Sequence, residues 1–96
     1  MDILVTYDIR TADPSGARRL SLVAAICERY GVRVQHSVFE CRISDLTYER
    51  LLGELEDAIE PVEDSVHLYR ISGTIAQVRT VLGRPRERQL GQPWIL

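Results

Sequence analysis

A chain of 96 residues, 45% hydrophobic and 27% charged, is long enough for one hydrophobic core and too short for two. Its formal net charge of -2 excludes a protein that holds nucleic acid through bulk charge, so any such contact must come from local placement. No apolar run approaches the ~18–20 residues that span a bilayer, and Asp2 stands where a secretory signal carries positive charge, so a cytoplasmic protein without a membrane partner is expected.

The first predicted element is the strand Ile3-Leu4-Val5-Thr6-Tyr7-Asp8. Alternation puts Ile3, Val5 and Tyr7 on one face and Leu4, Thr6 and Asp8 on the other. Both faces are largely apolar, so both need cover, and helices from this chain reach only one. The other face, with Asp8 at its rim, is where a second copy is expected. Asp13 as N-cap and Pro14 at the first helical position then start a helix. Its apolar residues Ala17, Leu20, Val23, Ala24, Ile26, Cys27 and Tyr30 recur near every 3.6, and Gly31 is expected as a left-handed stop. The helix spans residues 14–30. Arg18 and Arg19 lie in its first two turns, where cations cost roughly 0.3–1 kcal/mol each against the macrodipole. That cost is explained either by nearby carboxylates or by a polyanion partner.

Residues 32–35 and 38–43 read as two strands joined through His36 and Ser37, with Phe39, Cys41 and Ile43 on one face. Ser44 caps a second helix, striped by Leu46, Leu51, Leu52, Leu55, Ala58 and Ile59 and ended by Pro61. Its outer face is acidic, with Arg50 and Glu54 as an i,i+4 pair. Residues 64–71 form another strand, with Val66 and Leu68 opposite His67, Tyr69 and Ile71, and Gly73 breaks it. Residues 76–82 are expected as a fifth strand, with a short helical turn as the alternative. The order β-α-β-β-α-β specifies an α+β ferredoxin-like sandwich, two helices on one face of an antiparallel sheet, with an extra C-terminal strand. The domain occupies residues 1–83, and 84–96 form a tail ending on apolar Trp94, Ile95 and Leu96.

Chemistry-bearing residues are few. All twelve basic residues are Arg, which suits bidentate phosphate contact and equally suits a GC-rich genome. Cys27 and Cys41 form no C-x-x-C pair, so reduced thiols are expected and a structural zinc is not. Asp8, at the end of the first strand, is the best catalytic candidate. One carboxylate makes a thin Mg²⁺ site, because that ion takes about six oxygens, usually one or two carboxylates with waters and phosphate. A two-fold dimer would bring two copies of Asp8 together around a shared cation. A plain turn-accepting Asp is the alternative. Tyr7, Phe39 and Tyr69 are candidates for base stacking, but the glycine- and aromatic-rich signature of RNA-recognition modules is missing.

The opening strand through Asp8, Gly16-Ala17-Arg18-Arg19-Leu20, Gln35-His36-Ser37-Val38-Phe39-Glu40-Cys41 and Asp64-Ser65-Val66-His67-Leu68-Tyr69-Arg70 together resemble the Cas-two family. These are small CRISPR-associated proteins of spacer acquisition. The resemblance covers residues 1–83 and departs at His36, where Tyr is more usual. It implies a homodimer, sheet facing sheet, that bridges Cas-one integrase dimers and holds foreign (protospacer) duplex DNA. It also implies a Mg²⁺-dependent endonuclease on RNA or DNA, with Asp8 as metal ligand and catalytic residue. For phosphate contact the expected residues are Arg18 and Arg19, then Arg33 and Arg42. For the integrase the expected contact is Trp94, Ile95 and Leu96, an apolar end otherwise left to solvent. A toxin-like metal-dependent ribonuclease of the same fold and a non-catalytic regulatory module are the alternatives.

Overall fold

The computed structural model describes residues 1–84. Four strands and three helices follow one another as β1 (Asp2–Asp8), α1 (Pro14–Tyr30), β2 (Gly31–Gln35), β3 (Val38–Arg42), α2 (Asp45–Ala58), β4 (Ser65–Ile71) and α3 (Ile75–Val78). The strands make one antiparallel sheet in the order β2-β3-β1-β4, so β1 is central and β4 is an edge. This is the expected ferredoxin-like arrangement. No helix of the described residues is long and apolar enough to cross a membrane.

The core lies between the sheet and α1 and α2. Ile3, Val5 and Tyr7 from β1 and Phe39 and Cys41 from β3 meet Val23, Ile26 and Cys27 of α1 and Leu51 and Leu55 of α2. Burying such side chains is worth ~1.5–3 kcal/mol each, and this supplies most of the stabilisation. Both helices start at the expected caps. Asp13 Oδ1 accepts from the Gly16 N–H at 2.9 Å, and Ser44 Oγ accepts from the Thr47 N–H at 3.2 Å. Cys27 and Cys41 are free thiols inside this core, pushed up by burial to about 12 and about 11.

Three local expectations are corrected. Gly31 is not left-handed; its φ of -161° is extended and it opens β2. Glycine is needed there because a Cβ would strike the Glu40 carbonyl oxygen and Cys41 Sγ of the paired strand. Residues 76–82 do not form a fifth strand: Ile75–Val78 is one helical turn, closed by a capping box between Thr74 and Gln77, and no strand follows it among the described residues. Finally, Glu54 does not pair with Arg50. It accepts from Arg29 and from the Tyr30 hydroxyl, which ties α2 to α1.

Candidate functional site

The face of the sheet turned away from α1 and α2 is built by alternation. Asp2, Leu4, Thr6 and Asp8 of β1 stand between Val38, Glu40 and Arg42 of β3 and Ser65, His67, Tyr69 and Ile71 of β4. Its two ends differ. At the Asp2 end α3 folds over the strands, and the buried Asp2 carboxylate receives the Ile75 N–H at 2.8 Å and the Arg42 guanidinium at 2.8 and 3.1 Å. Arg42 holds the Asp2 carboxyl below the usual carboxylate range. Beside it, Arg79 reaches back from α3 to the buried Glu40 carboxylate, with bonds of 3.1 and 2.5 Å. Towards the other end the face stays open. Leu4 and Thr6 are half-buried, His67 and Tyr69 are exposed, and the His67 ring and Tyr69 hydroxyl lie 3.2 Å apart.

Asp8 stands exposed at that open end, as the last residue of β1 opposite Ser65. Just behind it the chain is held firmly. Arg10 donates its N–H to Asp64 Oδ1 at 3.1 Å, and its carbonyl oxygen accepts from Arg19 at 3.4 Å. Asp64 has no exposed side-chain surface and accepts three more bonds from two sources. Arg19 gives Nε to Oδ2 at 2.7 Å and a terminal nitrogen to Oδ1 at 3.2 Å, and the Glu60 N–H bonds Oδ2 at 2.9 Å, so three backbone and side-chain groups share one carboxylate. Arg19, then burial acting against it, then the backbone donors set its acidity, and the net effect pulls Asp64 down to about 2.

The expected phosphate-binding arginines therefore separate. Arg19 is committed to Asp64, with a side chain only 20% exposed. Arg42 is committed to Asp2. Arg33 lies on the helix side of the sheet, its guanidinium 5.0 Å above the Phe39 ring, 3.3 Å from the Tyr7 hydroxyl and 3.5 Å from Glu28. Arg18 and Arg42 are the exposed ones of the four, and of these only Arg18 forms no ion pair or hydrogen bond with the described residues. Of the stacking candidates, Tyr7 and Phe39 stack on each other under the helices, and Tyr69 is the one on the open face. Trp94, Ile95 and Leu96 lie outside the described residues.

Sequence reasoning treated Asp64 as the start of a strand and missed its role. The available signal was the electrostatic misfit of Arg18 and Arg19 at a helix N-terminus, which called for a carboxylate, and Asp64 is the one that answers.

The family described as CRISPR associated protein Cas2 matches this chain over residues 1–77. The chain belongs to that family. A "CRISPR-associated endoribonuclease Cas2 1" of Moorella thermoacetica is 42% identical over 71 residues, 74% of each chain. A "CRISPR-associated endoribonuclease Cas2 3" of Rhodospirillum rubrum is 48% identical over 67 residues, 70% of each. Among solved structures, Streptococcus pyogenes Cas2 at pH 6.5 superposes with a TM-score of 0.78 at 37% identity, over 86% of this chain and all of that one. The matched region holds both Asp8 and Asp64, so the open rim and the staple behind it sit inside the Cas2 homology and not in an appended segment.

For a divalent cation the donor set is sparse. Among the described residues no group of three or more His, Cys, Asp or Glu side chains converges as a metal site. Asp8 by itself fits Mg²⁺ only where a second carboxylate, waters or phosphate oxygens complete the shell.

Proposed function

We propose that this chain is the DNA-bridging Cas2 subunit of CRISPR spacer acquisition. It acts as a homodimer that joins Cas-one integrase dimers, holds a protospacer duplex, and presents Asp8 as a Mg²⁺ ligand for phosphodiester cleavage of RNA or DNA. The observation that carries this reading is the half-open outer sheet face. A central strand offers Leu4 and Thr6 there, an edge strand offers Tyr69 and His67, and an exposed carboxylate ends the row. A second copy laid against this face would cover its apolar residues and bring two Asp8 carboxylates towards one axis. Bound Mg²⁺ would supply charge neutralisation on the phosphodiester and an activated water. The chain itself supplies the carboxylate and the rigid strand that carries it, and Arg18 on the exposed flank of α1 offers phosphate contact.

The endoribonuclease and endonuclease names of the relatives support the cleavage half of this reading. The test is cleavage of labelled RNA and DNA with Mg²⁺ by wild type and Asp8→Ala from identical preparations. Activity that disappears with Asp8 supports the enzyme. Equal activity in both variants removes Asp8 from the chemistry. Absent cleavage with duplex binding intact leaves the bridge alone.

A further inference from the structure

The geometry points to the Arg19–Asp64 pair as the positioning device for Asp8, acting through the backbone of Arg10. This rests on the reading of Asp8 as a metal ligand. The ladder between β1 and β4 ends at Asp8 and Ser65, so beyond that pair no strand hydrogen bond fixes the chain. Asp64, next to Ser65, takes over. Its Oδ1 receives the Arg10 N–H, two residues past Asp8, and Arg19 bonds both the Asp64 carboxylate and the Arg10 carbonyl oxygen. On the remaining side Gly16 packs so closely that a Cβ there would collide with the Arg10 oxygen. Arg10 is thus held on both sides of its Cα, at the N–H of the preceding peptide and at the carbonyl oxygen of the following one, against which Gly16 packs. Between it and Asp8 only Ile9 intervenes, and Ile9 is buried in the core.

Such a grip matters more for this site than for most. A single carboxylate per chain has no neighbouring ligand to correct its aim, and Mg²⁺ requires near-ideal octahedral geometry at about 2.0–2.1 Å. Two copies of Asp8 that must meet one ion need the end of β1 held to a fraction of an ångström in both chains. Asp64 has no exposed side-chain surface, and the Arg19 guanidinium is spent on Asp64, Ser15 and the Arg10 oxygen, so they act as positioning residues. Arg19 takes no part as a phosphate contact. Outer-shell partners of metal ligands typically change metal affinity 10–100-fold when altered.

The experiment uses the full chain and the variants Asp64→Asn and Arg19→Lys, with Arg50→Ala, an exposed arginine of α2, as comparator. Asp64→Asn keeps the shape and weakens the charge, and Arg19→Lys keeps the charge but loses the two-point fork. Two quantities are read: broadening of the Asp8 amide resonance by added Mn²⁺, and the Mg²⁺ concentration that half-saturates RNA cleavage. Both positioning variants should require about tenfold more metal or greater, with the KM for RNA at saturating Mg²⁺ within twofold of wild type. Arg50→Ala should leave both metal readouts unchanged. Wild-type metal dependence in Asp64→Asn and Arg19→Lys would overturn the inference and leave Asp8 as a ligand. So would a raised KM for RNA with unchanged metal dependence, which would return Arg19 to phosphate contact. Should Asp64→Asn fail to fold, Arg19→Lys carries the comparison. If wild type neither responds to Mn²⁺ nor cleaves, the reading of Asp8 itself fails, and the positioning role falls with it.

Discussion

The same substitution, glycine to alanine, should have opposite effects at two helical positions of this chain. At Gly53, inside α2 and exposed, an added Cβ meets nothing within 4 Å. The change there removes only backbone freedom from the unfolded chain and should stabilise by about 0.5–1 kcal/mol. At Gly16, in the first turn of α1, the added Cβ would fall far inside the 3.0 Å limit from the Arg10 carbonyl oxygen and lie 3.0 Å from Arg10 C and Thr11 Cα. All three are backbone atoms, so no rotamer change relieves the clash.

The Arg10–Thr11 peptide has to move by something on the order of an ångström, and that shift, carried through the Arg10 Cα to the preceding peptide, takes the Arg10 N–H beyond hydrogen-bond range of Asp64, now 3.1 Å away. A lost bond to a buried carboxylate costs about 1.5–3 kcal/mol, and overpacking adds about 1–3, against a helix-propensity gain below about 1. The net is a loss of about 1.5–5 kcal/mol. For a domain of this size each kcal/mol shifts the melting temperature by about 4–8 °C, so Gly16→Ala should melt at least ~6 °C lower and Gly53→Ala a few degrees higher. Thermal and urea unfolding of the two variants beside wild type checks both signs. A Gly16→Ala variant as stable as wild type would refute the close-packed account of the loop behind Asp8.

Asp64 should also set an acid limit. Its folded-state value of about 2 lies below the ordinary 3.8, so its contribution of about 2 kcal/mol is complete above pH 4 and is lost as pH falls from 4 through 2. Urea unfolding across that range should show a steeper loss in wild type than in Asp64→Asn. Arg18→Ala should leave stability within about 0.5 kcal/mol of wild type while lowering the salt slope of duplex binding by about 0.9 per chain, measured by fluorescence anisotropy at several salt concentrations. Tyr69→Glu, a charge placed on the open sheet face, should convert a dimer to monomer in light scattering at micromolar concentration. A variant that stays dimeric would move the interface elsewhere.

Much of the architecture was legible because it is written in local patterns. The Asp13-Pro14 start fixed α1 at Pro14–Tyr30, and strict alternation in residues 3–8 and 65–71 placed the two faces of β1 and β4 correctly. Gly31 misled because glycine has two uses, a left-handed turn or a close approach, and only the paired strand reveals which one applies. Residues 76–82 misled because a β-branched run reads as a strand, whereas the Thr74–Gln77 capping box and the pull of Asp2 on the Ile75 N–H favour a helical turn. Asp8 was legible as a candidate from its place at a strand end. Its support was not, because the partners of Asp64 lie 4, 45 and 54 residues away in sequence. No periodicity encodes contacts of that span.

The arginines give the last step. Among the described residues seven of them sit in ion pairs with carboxylates of the same chain, and three of those carboxylates, Asp2, Glu40 and Asp64, are buried. The cations that composition offered to a polyanion are mostly used to solvate the protein's own acids. A dimer that relies on Arg18 from each chain would neutralise about two phosphates, for a slope of about -1.8 and a roughly tenfold loss of affinity between 50 and 200 mM salt. Duplex-binding proteins with 6–10 phosphate contacts lose ~10³–10⁵ over the same range. Arg50 and Arg84 are the other described arginines outside those pairs, and Arg86 and Arg88 lie outside the described residues, so stronger binding needs these or a partner's cations. On the proposed bridging role the integrase would supply part of that charge, and a salt slope near about -1.8 for the subunit by itself, steepening when the integrase is added, is the expected result.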